Sequence, residues 1–187
     1  MASLSITTKN YMRDKRAWTL VELVMVIVLV AILAGIGVVK FNEVIESSRV
    51  SKAVAEVNAI KKALLAFYGD LGAFPPDVGT DTDPGLAYNK GSWSNWNGPY
   101  IDKWPDKTPW GGSYDYEYWN CSWADKDGTA GNEVLISVRG GSGYGGNMTT
   151  EDATNIDRLL DDGNLNTGNA RGNANVITIY IAEGPKL

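Results

Sequence analysis

The sequence predicts an α+β protein in which a long N-terminal helix packs on a small globular head that contains an antiparallel sheet. Three observations indicate this class. An apolar stretch follows a basic N-terminus, a stretch with helical spacing of apolar residues comes next, and the remainder is rich in glycine and aromatic residues with short strand patterns. The chain has 187 residues, which suits one modest globular unit plus an appendage.

Composition argues against several classes of protein. The chain has no histidine and a single cysteine, Cys121, which excludes Ser-His-Asp and Cys-His catalysis, histidine-ligated zinc and an internal disulfide framework. The formal net charge is −5, and no basic stripe is available to bind nucleic acid. We therefore expect neither an enzyme nor a nucleic-acid-binding protein.

The first element is a basic leader followed by an apolar segment. Residues 1–17 carry four basic side chains against one acidic side chain, and between Trp18 and Val39 the single charged residue is Glu22. As a helix, residues 18–39 would reach roughly 33 Å, enough to cross a bilayer core of about 30 Å. The basic cluster is expected to remain cytoplasmic, which places the rest of the chain across the membrane.

Two simpler interpretations explain this N-terminus less well. A cleaved secretory signal has a shorter apolar run, usually about 7 to 15 residues, with an A-x-A-like site after it, and neither feature is present. A plain membrane anchor leaves Glu22 unexplained, because a lone carboxylate in hydrocarbon is costly and usually has a partner.

A resemblance to a known family lies in the sequence KRA at 15–17, followed by WTLVEL at 18–23 and the apolar stretch. It resembles the class III signal of type IV pilins and type II secretion pseudopilins. The resemblance implies that prepilin peptidase cleaves between Ala17 and Trp18 and that the new Trp18 amine is N-methylated. It also implies that Glu22 meets the N-terminal amine of a neighbouring subunit, so that the two charges compensate each other in lipid.

The second element is an amphipathic continuation of the helix. Apolar residues recur there at spacings of three and four, with charged residues between them and no proline before Pro75, which predicts one helix from Trp18 to about Tyr68. The apolar positions are Ala53, Val57, Ile60, Leu64 and Phe67. The predicted organisation is a leader peptide (1–17), a transmembrane or filament-core helix (18–40), an amphipathic continuation (41–70) and a periplasmic α+β head with long loops (71–187).

The head is predicted to contain three strands and one helix. Alternation at 114–118, a buried run at 133–138 and β-branched content at 175–181 indicate strands, and a Thr149 cap followed by acidic residues indicates a helix that stops near Gly163. The blocks FPP (74–76), GPY (98–100) and KTPWGGSY (107–114) are similar to segments of the major pseudopilin of type II secretion. Thr108 stands where that family has aspartate.

Ten aromatic residues are concentrated between positions 93 and 123. They could form a sugar-binding platform, a contact surface for exported protein or a path for electrons along a filament, or they could fill a thin core. The ten are Trp93, Trp96, Tyr100, Trp104, Trp110, Tyr114, Tyr116, Tyr118, Trp119 and Trp123.

Acidic loops offer ligands for a possible calcium ion. Asp125, Asp127 and Glu133 are the predicted ligands, although the ligands that would complete an EF-hand are missing. The alternative is that these carboxylates are exposed to solvent and bind no ion. Two further loops hold Asp77, Asp81 and Asp83, and Asp161 with Asp162. The family resemblance implies a calcium ion in the loop after strand 133–138, but residues 139–143 there lack the expected aspartate.

Taken with the resemblance, the sequence predicts a structural subunit of the type II secretion pseudopilus, a filament that drives protein export across the outer membrane. The chain would span the bacterial inner membrane once, with a periplasmic head, and would polymerise with copies of itself through its N-terminal helix. Expected partners are minor pseudopilins, prepilin peptidase, the inner-membrane platform protein, the assembly ATPase and the lipid bilayer. The alternatives are a major type IV pilin of a surface fibre, for adhesion, motility or electron transfer, and a membrane-anchored carbohydrate-binding module.

Overall fold

The computed structural model describes residues 18–187, and for 36–40 it describes the helical backbone alone. The predicted leader 1–17, with Ala17 at the predicted cleavage position, lies outside the described residues. The structure is α+β, with a small four-stranded antiparallel sheet, which confirms the predicted class at that level. Its elements are α1 (Leu20–Leu71), β1 (Tyr114–Trp119), β2 (Glu133–Arg139), a 3-10 turn (Ser142–Tyr144), α2 (Thr150–Leu160), β3 (Ala170–Gly172) and β4 (Val176–Glu183).

The chain divides into two compact units, with the boundary between Glu43 and Val44 inside α1. In the first unit, every large apolar side chain from Leu20 to Leu33 is at least 44% exposed. Over the described residues, no helix combines the length and the apolar content required to cross a membrane.

The second unit, from Val44 onward, contains the core. The five positions of α1 that the spacing places on one face are all buried, each no more than 1% exposed. They share one apolar cluster with side chains of the sheet and of α2, such as Ile136 and Ile156. The periodicity of the sequence therefore identified the buried face of this half of the helix, because residues three and four apart lie on the same side.

The sheet has the strand order β1-β2-β4-β3, and all its pairs are antiparallel. β2 lies between β1 and β4 and is buried from Glu133 to Val138, as its apolar run predicts. The predicted strands correspond to β1, β2 and β4. The strand β3, which pairs through Ala170 with Ile179 of β4, was not predicted, because three residues are too few to show a strand pattern.

Helix α2 begins at the cap that the sequence predicts. The Thr149 side chain accepts a hydrogen bond from the backbone N–H of Asp152, and the Asp152 carboxylate accepts one in return from the backbone N–H of Thr149. This reciprocal capping satisfies two backbone donors at the helix start. One face of α2 is buried, and this face includes Ile156 and Asp157.

Candidate functional site

The first candidate region is the beginning of α1, where Glu22 is held by Thr19. The Glu22 carboxylate oxygen Oε2 accepts hydrogen bonds from the backbone N–H and the hydroxyl of Thr19, both at 2.8 Å, and the backbone N–H of Glu22 donates to the Thr19 hydroxyl at 3.2 Å. The carboxylate thus lies at a helix N-terminus, where the helix dipole favours negative charge. Within the described part of the chain it forms no salt bridge.

The surroundings of Glu22 are apolar and exposed. Trp18 is 71% exposed, Leu20 79% and Val21 67%. A fixed carboxylate among exposed apolar side chains is suited to pairing with a cation in a medium that excludes water. The predicted partner, the Trp18 amine of another subunit, has the required charge.

The ten aromatic residues lie mainly in the core of the head. Trp119 is half exposed, Trp123 is partly buried in a second small cluster, and the other eight rings belong to or pack against the main core. The three buried tyrosines of β1 donate from their hydroxyls: Tyr114 to Glu56 at 2.5 Å, Tyr116 to the Pro75 carbonyl at 2.8 Å and Tyr118 to the Gly184 carbonyl at 2.6 Å.

Burial raises the pKa of Tyr114 and of Tyr116 far above the ordinary tyrosine value. Both hydroxyls therefore stay protonated and remain hydrogen-bond donors. Five of the rings are buried in the main core and three more pack against it, so the core-filling interpretation accounts for most of them.

The loop after β2 does not fit the calcium ion that the family resemblance implies. A cation stands where this loop begins, because Arg139 is the last residue of β2. Its Nη2 lies 2.5 Å from Oδ2 of Asp115 and 3.2 Å from Oε1 of Glu117. The Thr108 hydroxyl, at the position where the family has aspartate, donates to the carbonyl of Arg139 at 3.0 Å. The Arg139 guanidinium compensates the charge of the nearby carboxylates. Residues 139–143 themselves contain no acidic side chain that could bind calcium.

Two of the three predicted calcium ligands come together, but with a different third residue. Oxygens of Asp125 and Asp127 lie within 4.8 Å of each other and of one from Glu183, a group that does not include Glu133. Glu133 is fully buried, and its Oε2 accepts a hydrogen bond from the backbone N–H of Gly131 at 3.0 Å. The pairing of β2 with β4 brings Glu183 opposite Glu133, a long-range contact that sequence spacing does not reveal.

The Asp125, Asp127 and Glu183 group is satisfied by its own loop. The Asp125 carboxylate accepts from the backbone N–H of Gly128 at 2.7 Å, and the Asp127 carboxylate accepts from Thr129 and Asn132 at 2.6 and 3.0 Å. The hydrogen bond from Asn132 is the largest factor that lowers the pKa of Asp127. This arrangement is typical of carboxylates that stabilise a turn.

A second acidic group combines Asp161 and Asp162 with Asp157, which the sequence analysis did not select. Asp157 precedes Asp161 by one helical turn and follows Ile156 on the buried face of α2. The i, i+4 spacing of two aspartates, with one on an apolar helix face, is the sequence signal that could have identified it.

In a comparison with protein families, residues 44–130 match a family model described as "PilW, C-terminal". The match covers less than half of the chain. It points to a family related to type IV pilus biogenesis and supports a pilin-like protein at that coarse level, without indicating a major pseudopilin. No curated protein and no solved structure matches the chain.

Proposed function

We propose that this chain is a structural subunit of a type IV pilus-like filament and that it assembles through the apolar N-terminal part of α1. The observation that carries the proposal is the exposure of the apolar side chains from Leu20 to Leu33. Successive residues of a helix point in directions about 100° apart, so a continuous run of exposed apolar residues covers the helix on all sides.

The free energy gained when this apolar surface is removed from water supports the proposal. Burying one Val, Leu, Ile or Met side chain contributes about 1.5–3 kcal/mol, and the segment contains many of them. We infer that the segment lies in the bacterial inner membrane before assembly and against other copies afterwards. The described residues alone do not make a membrane span, but in sequence the apolar stretch continues to Val39, which supports a single pass, and the basic residues before Trp18 support a periplasmic head.

Glu22 then has a role in assembly. In a lipid-surrounded filament, an unpaired carboxylate would be costly, and the N-terminal amine of a neighbouring Trp18 would neutralise it. This requires cleavage between Ala17 and Trp18 by prepilin peptidase, and the sequence KRA-WTLVEL at 15–23 supports such processing. The expected partners are copies of the chain, minor subunits and the platform protein and ATPase of the assembly machinery. No catalytic function is proposed.

Two kinds of filament are consistent with these features. The PilW match favours a type IV pilus at the cell surface, whereas the KTPWGGSY segment at 107–114 favours the type II secretion pseudopilus predicted from sequence. Because eight of the ten aromatic rings belong to the core or pack against it, the carbohydrate-binding alternative loses its main support.

The role of Glu22 is tested with Glu22→Ala, with Glu46→Ala as the matched control. Glu46 is another exposed glutamate of α1, outside the apolar segment. In a strain that expresses each form as the sole copy, we expect both variants in the membrane fraction and filaments from Glu46→Ala alone, with subunits that begin at N-methylated Trp18. Normal filaments from Glu22→Ala would refute the proposed role.

A second experiment distinguishes the pseudopilus from the surface pilus. The proteins secreted by a deletion strain and by the complemented strain are compared, together with the fibres sheared from the cells. Exported proteins that accumulate in the periplasm of the deletion strain would establish the pseudopilus. Unchanged export, with the subunit present in sheared fibres, would establish the surface pilus.

A further inference from the structure

The C-terminal end of α2 and the loop that follows it bring three carboxylates together. One oxygen each from Asp157, Asp161 and Asp162 lies within 4.8 Å of the others. Asp157 is part of the helix, and Asp161 and Asp162 follow directly after its last residue. The loop continues to β3, so the group lies where the chain turns from the helix towards the edge of the sheet.

Asp157 is the unusual member of the group. Its exposed fraction is 0%, and neither of its carboxylate oxygens has a hydrogen-bond partner. Burial raises its pKa, as do the nearby charges of Asp162 and Asp161; the backbone N–H groups of Gly163 and Asp162 act in the opposite direction, but neither reaches hydrogen-bond geometry with the carboxylate. Buried polar atoms in proteins are nearly always paired, so a buried carboxylate without a partner calls for an explanation.

The loop donates hydrogen bonds to the other two carboxylates. Asp162 accepts from the backbone N–H of Asn164 at 2.8 Å and from the hydroxyl of Thr167 at 2.7 Å, and Asp161 accepts from the backbone N–H of Asn169. Gly168 has a φ of +68°, and a Cβ there would lie 1.7 Å from Oδ2 of Asp161. The chain therefore passes so close to this carboxylate that only glycine fits.

No basic side chain neutralises the group. Among residues 18–187, no salt bridge involves any of the three aspartates. Lys61 lines the same small cavity as Asp161, and Arg171 lowers the pKa of Asp162 through its charge, as a lesser contribution than the Thr167 hydrogen bond. Neither approaches within 4.0 Å, so three negative charges converge without a paired cation.

We propose that Asp157, Asp161 and Asp162 bind one calcium ion. Ca²⁺ takes six to eight oxygen ligands and accepts irregular geometry, so it suits three carboxylates on a helix end and a loop. The contrast with the Asp125, Asp127 and Glu183 group supports this assignment. No carboxylate of that group is buried, whereas Asp157 is fully buried and neither of its oxygens forms a hydrogen bond.

Bound calcium would join the end of α2 to the loop that leads into β3. Asp161 accepts from the N–H of Asn169 beside that strand, and the N–H of Tyr180 in β4 donates to the Asn169 carbonyl at 2.7 Å. Calcium would therefore stabilise the β3 edge of the sheet. The inference stands on the head alone and does not depend on the proposed function.

The test is calcium titration of the full-length chain, purified in detergent and freed of metal with a chelator. We expect one calcium ion per chain, with a dissociation constant of about 10⁻⁵–10⁻³ M, and a higher melting temperature when calcium is present. Asp162→Asn, at an exposed position, should weaken binding by about tenfold or more because one ligand charge is lost. Asp157→Asn should abolish binding, and the matched control Asp127→Asn should bind as the parent chain does.

Three outcomes would overturn the proposal. The first is the absence of heat of binding and of thermal stabilisation at about 10 mM calcium, above the range of weak extracellular sites. The second is loss of binding in Asp127→Asn with binding retained in Asp162→Asn. The third is stabilisation by magnesium but not by calcium. If Asp157→Asn does not fold, Asp162→Asn still decides between these results.

Discussion

Replacing Arg139 with glutamine removes the cation that holds two carboxylates of β1. The Arg139 side chain is 21% exposed, and those of Asp115 and Glu117 are 6% and 16% exposed. Breaking a buried ion pair by removing one partner costs about 3–5 kcal/mol, because the remaining charge is left uncompensated. Glutamine can still donate one hydrogen bond, so we expect a loss of about 3 kcal/mol in the free energy of unfolding, at the lower end of that range.

The pH dependence of this loss is a second, stricter expectation. Burial raises the pKa of Asp115 and Arg139 lowers it, so the variant should have a still higher pKa there. A carboxyl group with a raised pKa in the folded state binds more protons folded than unfolded, so stability falls as pH rises from the unfolded pKa through the folded pKa. The deficit of Arg139→Gln should therefore be large at neutral pH and smaller near pH 4.

Urea denaturation followed by tryptophan fluorescence measures this difference at both pH values. Lys103→Gln is the matched control, because Lys103 and Asp106 form a salt bridge at 2.7 Å with side chains 73% and 77% exposed. We expect the control to be indistinguishable from the parent chain. A deficit for Arg139→Gln below about 1 kcal/mol, or one equal at both pH values, would refute the reasoning.

Three further predictions concern the second unit, from Val44 onward. Leu64→Ala should lower the free energy of unfolding by about 2–5 kcal/mol because Leu64 is fully buried. Leu65→Ala, at a position that is 45% exposed, should lower it much less. Chemical denaturation of both variants measures the difference. Thr149→Ala should lower the free energy of unfolding by about 1 kcal/mol, because the cap of α2 is lost. Equal melting temperatures of the variant and the parent chain would contradict the role of the cap. Cys121 is buried, and burial raises the pKa of its thiol, so alkylation near neutral pH should be slow in the folded chain and fast in urea; equal rates would show that the thiol is accessible.

Local patterns were sufficient for the regular elements. The periodicity of Ala53 to Phe67 identified the buried face of α1, and the Thr149 cap identified the start of α2. Such signals depend on residues close in sequence, because capping and helical spacing act over three or four positions. The observed start of α1, Leu20, and its end, Leu71, lie within a few residues of the predicted limits.

The acidic groups needed the tertiary structure. Sequence spacing joined Asp125 and Asp127 to Glu133, but the pairing of β2 with β4 brought Glu183 to them instead. Composition also left open whether the ten aromatic rings form a surface or a core, and in the structure five are buried in the core and three more pack against it.

The sequence by itself determined the apolar segment with its single carboxylate, Glu22, the long helix and the central strands, because these depend on hydrophobic pattern and local propensity. Only the tertiary structure decided which carboxylates meet and which lack partners. Asp157 and Glu183 show the reason: the burial of Asp157 depends on how α2 packs against the core, and the approach of Glu183 to Asp125 and Asp127 depends on the pairing of β2 with β4. Both are set by contacts between segments that are distant in sequence.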